Sequence, residues 1–130
     1  MNKGYWIRCD FIFYKVNGSP VHVCDGLETF AHRPIVKLHK DIWDTNEHVW
    51  EISDARTGLT FGVNRCEQAR TVEGAAELAK EKLKQVATLY GGLEGWLKSL
   101  EGYAVTPRYY EDYYDARTAR IPLEGAKIIR

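Results

Sequence analysis

His22 and Cys24, one residue apart, are the tightest pairing of metal-ligating side-chain types in the chain. A zinc site usually takes four such ligands, commonly as two spaced pairs. Cys9 falls on the opposite strand face by alternation, and Cys66 lies in a distant loop. The pair therefore reads as a buried thiol beside a surface histidine, and neither a metal ligand nor a cofactor is assigned.

Cysteine nucleophiles need a nearby base and an electropositive or helix-N-terminal setting. Cys66 is the best placed, just before a helix, near Arg65 and Arg70, with His32, His39 and His48 as candidate bases. No motif surrounds it, and an incidental loop cysteine is the plainer reading. A small cysteine-dependent enzyme stands as an alternative, with no catalytic residue assigned. Asp10, Asp25, Asp41, Asp44 and Asp54 have spacings that fix no mutual geometry, so they read as solvated turn residues. Gly91-Gly92 follows a helix rather than preceding one, the wrong polarity for a phosphate cradle.

The stronger signal is aromatic. Trp6, Arg8, Tyr14 and His22 fall together if residues 5–16 alternate as one strand and a three-residue loop, 17–19, returns the chain. Tyr109, Tyr110, Tyr113 and Tyr114 surround Glu111 and Asp112 in a tail too aromatic for a flexible linker. Trp, Tyr and Arg are enriched at protein interfaces, so these eight residues are the candidate partner-binding set. Trp6, Arg8 and Tyr14 could alternatively stack single-stranded bases.

The elements that must position them begin with a hairpin and a helix. Strands at 48–54 and 59–63, joined by residues 55–58, place Asp54 opposite Leu59, Ile52 opposite Phe61 and Trp50 opposite Val63. Trp50, Ile52, Phe61 and Val63 then share an apolar face, while Val49, Glu51, Ser53, Thr60 and Gly62 form a mostly polar one. Gly58 takes the positive φ that closes the loop. A helix from Thr71 to Tyr90 follows, with Thr71 as N-cap and Gly91-Gly92 as stop. Its apolar stripe is Val72, Ala75, Ala79, Leu83, Val86 and Tyr90, and Glu77–Lys80 and Glu81–Lys84 line the outer side.

Upstream, Tyr5, Ile7, Cys9, Phe11 and Phe13 mark one face of the first strand, and Asn17-Gly18 its turn. That register sets Phe13 opposite Val23 and Tyr14 opposite His22, with Pro20 confining the partner strand to an edge. Asp25-Gly26 turns the chain into a third strand over 27–32, which Pro34 interrupts before residues 35–38. Residues 39–47 read as a loop. Leu93, Trp96, Leu97 and Leu100 define a short second helix ended by Gly102.

These elements predict an α+β fold across residues 1–130 as one domain. It is a mostly antiparallel meander of four or five strands with one long helix on one face, a short second helix and an aromatic C-terminal tail. The 18 basic and 18 acidic side chains cancel, with nine of each sign in residues 1–70 and nine of each in 71–130. Bulk charge is therefore no basis for holding nucleic acid or an anionic membrane. Three unpaired-looking cysteines and no apolar run of membrane-spanning length set the expectation of a cytoplasmic protein. The function these features favour is non-catalytic: an interaction module that binds a protein partner or its own copy. A bacterial, phage or plasmid accessory protein, such as an inhibitor of a host system, would suit it.

Overall fold

The computed structural model describes residues 3–9, 12–39, 42–61, 69–100 and 120–122, with side chains placed at 4–8, 13–35, 46–61 and 69–100. The fold is α+β. Strands β1 (Lys3–Cys9), β2 (Ile12–Pro20), β3 (Thr29–His32) and β6 (Glu51–Asp54) form an antiparallel sheet in that order. A short β7 (Arg120–Pro122) pairs with the first part of β2. β4 (Ile35–His39) and β5 (Ile42–Thr45) make a separate two-stranded sheet. Helix α1 (Val72–Leu89) and helix α2 (Leu93–Ser99) complete the described chain.

The sheet curls until its ends approach. The loop after β6 reaches β1, where the Arg8 amide donates to the Gly58 carbonyl at 2.8 Å. Gly58 has φ +73°, and a Cβ there would stand 2.8 Å from the Arg8 nitrogen. Glycine is thus needed twice, for the left-handed conformation and for the close approach of two backbones. Asp54 holds the loop in shape by accepting from the Thr57 amide at 3.1 Å and the Thr57 hydroxyl at 2.7 Å.

Curling gives β3 two buried faces. Ala31 faces a core with Ile52, Phe61, Ala75, Ala79, Leu83 and Trp96, between sheet and helices. Its neighbour Phe30 points the other way, into a second core with Tyr5, Ile7, Tyr14 and Ala55. Each large apolar side chain removed from water contributes about 1.5–3 kcal/mol. The supposed polar face of β6 is therefore buried as well: Val49 and Ser53 are buried, Glu51 and Thr60 half-buried. The polar-face expectation fails because it assumed a sheet wetted on one side.

The register expected for the hairpin at 48–63 is otherwise observed. Asp54 donates to the Leu59 carbonyl and Phe61 to the Ile52 carbonyl, each at 2.9 Å, with Ser53 bridged to Thr60. Strand β6 is shorter than expected, and Trp50 pairs with Ala69 through a 2.8 Å hydrogen bond. Val63 lies outside the described residues.

The first hairpin departs from expectation. Cys9 pairs with Ile12, so the single strand expected over 5–16 is two antiparallel strands. Asn17 and Gly18 sit inside β2, opposite Gly4 and Lys3. Gly18 is a packing residue. A Cβ there would come within 2.8 Å of the Phe30 ring and 2.9 Å of the Tyr5 ring, which stack with centroids 4.1 Å apart. Tyr14 pairs with Ile7, not His22, and Phe13 pairs with Arg8 and Ile121, not Val23. Pro20 ends β2 opposite Phe30, where a missing donor is tolerated, and β2 is flanked on both sides.

Residues 39–47 include strand β5, where a loop was expected. Its pairing with β4 is shifted between Lys37 and His39, and the Asn46 amide donates to the Pro34 carbonyl at the hairpin's base at 2.9 Å. At four residues, Ile-Trp-Asp-Thr, β5 is too short to show an alternation that would have marked it.

Helix α1 begins at the expected cap: the Thr71 hydroxyl accepts from the Gly74 amide at 3.0 Å. Ala75, Ala76, Ala79 and Leu83 are buried, Val72 and Val86 half-buried, and Lys80 meets Glu77 at 3.2 Å. Tyr90 does not extend the stripe. It caps the helix outside the core, where Gly91 (φ +81°) and Gly92 (φ +126°) stop the chain. Trp96 and Leu100 bury the inner side of α2, with Trp96 against Phe61 at 5.6 Å between ring centroids. Gly102 lies outside the described residues.

Candidate functional site

The register between β1 and β2 decides the fate of the aromatic set. It pairs odd positions of β1 with even positions of β2, so Tyr14 shares a face with Tyr5 and Ile7, while Trp6 and Arg8 share the other with Phe13. Trp6 is 2% exposed and Tyr14 7%. Neither is a docking residue, and the stacking platform expected from Trp6, Arg8, Tyr14 and His22 does not assemble. His22 stands apart at an exposed turn, 3.3 Å from the Asp25 carboxylate. Tyr109, Tyr110, Tyr113 and Tyr114 lie outside the described residues.

The other sequence candidates are dispersed too. Cys24 is half-buried, and its thiol donates to the Asp25 carbonyl at 3.3 Å. Residues 21–23 are not a strand, so no shared strand face presents it with His22. Cys66, Asp10 and Asp41 lie outside the described residues, as does the side chain of Asp44. Asp25 is exposed, and Asp54 is buried in its own loop rather than solvated. Burial pushes the Asp54 carboxyl up, partly offset by its hydrogen bonds with Thr57. Among the described residues, no three His, Cys, Asp or Glu side chains are placed to hold a metal ion.

A buried polar chain escaped the sequence reading. His32 Nε2 lies 2.7 Å from Ser53 Oγ, which lies 3.1 Å from Thr60 Oγ1. His32 Nδ1 lies 2.9 Å from the Arg33 carbonyl. A carbonyl only accepts, so Nδ1 carries the proton and Nε2 accepts from Ser53. Burial lowers the His32 pKa to about 4, keeping the ring neutral. Serine beside histidine has the composition of a nucleophilic pair. Both are fully buried, however, and Nδ1 is oriented by a carbonyl rather than a carboxylate. The chain ties β3 to β6. The signal that could have found it was the register setting Phe30 opposite Ser53 and His32 opposite Glu51.

Arg33 makes a second tie. It donates to the Val49 carbonyl at 3.1 Å, lies 3.8 Å from Glu47, and spreads its guanidinium over the Trp50 ring at 3.8 Å. The cation over half-buried Trp50 is worth about 0.5–1 kcal/mol.

The accessible apolar surface lies elsewhere. A groove of about 400 Å³ runs along α1. Its apolar walls are Val23, Cys24, Leu83, Ala87 and Leu93, and its rim alternates Glu77, Lys80, Glu81 and Lys84. Between Ala87 and Leu93 the chain turns from α1 into α2, and there Leu89 is 82% exposed and Tyr90 51%. These are the exposed large hydrophobic side chains among the described residues. α1 ends at Leu89 with Tyr90 as its C-cap, and the positive-φ Gly91 and Gly92 follow at once.

No family model, curated protein or solved structure matches the chain. Among the described residues, no helix is long and apolar enough to cross a membrane.

Proposed function

We propose that the chain is a non-catalytic protein-interaction module, docking a partner protein or a second copy at the corner between α1 and α2. The observation that carries this reading is the exposure of Leu89 and Tyr90, which fall in sequence between Ala87 and Leu93, two residues that line an apolar-walled groove. An exposed tyrosine is a residue type enriched among interface anchors, and a concave apolar surface is the kind of pocket such anchors fill. The mixed rim of Glu77, Lys80, Glu81 and Lys84 suits a polar border around such a contact. Trp6 and Tyr14, expected to form such a surface on the first hairpin, are buried, so this reading rests on the corner instead.

The test compares the wild type with Leu89→Asp and Tyr90→Ser. Both sites are exposed, so melting temperature and circular dichroism should be preserved. Self-association in sedimentation velocity, or retention of a co-purifying partner, should fall at least tenfold. Unchanged association in both variants would place the docking surface elsewhere.

A further inference from the structure

We draw no further inference here: the strongest candidate, the apolar groove between α1, the Val23–Cys24 segment and the start of α2, belongs to the site already described, and nothing in the structure shows which partner covers it.

Discussion

The Gly58 carbonyl accepts a 2.8 Å hydrogen bond from the Arg8 amide, and that contact brings the last strand of the sheet order back to the first. Gly58 has no room for a side chain, because a Cβ would stand 2.8 Å from the Arg8 nitrogen at a φ of +73°. Gly58→Ala should destabilise the protein by about 2 kcal/mol or more, since left-handed strain alone costs about 1–2 kcal/mol. Urea unfolding should show the loss as a lower midpoint with an unchanged slope. A midpoint equal to the wild type's would mean that the loop does not close on β1.

Gly18 makes a parallel case inside β2. A Cβ there would come within 2.8 Å of the Phe30 ring and 2.9 Å of the Tyr5 ring. Gly18→Val should separate the stacked pair at a cost of about 1–3 kcal/mol. The near-ultraviolet circular dichroism signal should weaken, because the tyrosine loses its fixed surroundings. A variant with wild-type stability would contradict the placement of Gly18 in a strand.

These two glycines show what the sequence disclosed and what it concealed. The register of the hairpin at Asp54 and Leu59 and the cap at Thr71 were legible, because both are local pairings of residue type with position. Gly18 follows asparagine and so resembled a turn, while no glycine lies between Cys9 and Ile12, which pair across the two strands. Reading 5–16 as one alternating strand, rather than as two strands pairing Cys9 with Ile12, put Tyr14 on the face of Trp6 instead of that of Tyr5 and Ile7, and so Trp6 and Tyr14 were taken for surface. Burial of Ser53 and His32 depends on the curl of the sheet, which brings residues far apart in sequence to both sides of β3 and β6. For the site, His22 was placed correctly as exposed, whereas the exposure of Leu89 and Tyr90 follows from where α1 stops relative to the core. Helical spacing alone put Tyr90 in the stripe.

Stability should fall in mild acid. The pKa of His32 is about 4 when folded, against 6.5 for an ordinary histidine. The unfolded chain therefore binds more protons between those values, and folding stability declines as pH drops through that window. The full effect is roughly 3 kcal/mol, present above pH 6.5 and lost by pH 4. Asp54 acts in the opposite sense: burial raises its carboxyl, so its contribution weakens as pH rises above the ordinary carboxylate range. Urea midpoints at pH 7 and 4.5 should differ in the wild type, and the difference should shrink in His32→Gln. Equal pH dependence in the two proteins would remove the buried neutral imidazole from the account.

The helix should depend more on its buried contacts than on its cap. Phe61→Ala opens the contact with Trp96 on the helix side of the sheet and should cost about 3–5 kcal/mol. Thr71→Ala removes the hydroxyl that accepts from the Gly74 amide and should cost about 1 kcal/mol. Thermal unfolding of the two variants ranks them directly. The reverse order would mean that Phe61 and Trp96 do not hold the helices to the sheet.

Docking at the α1–α2 corner is tested most directly by placing a photo-crosslinking amino acid at position 89 and, as a control, at position 73 of the full chain in its host cell. Both positions are exposed on α1, but Glu73 lies at the opposite end of the helix and does not line the groove. The account predicts one discrete adduct from position 89, either to a partner or to a second copy, and none from position 73. No adduct at 89, or the same adducts from both positions, would contradict it.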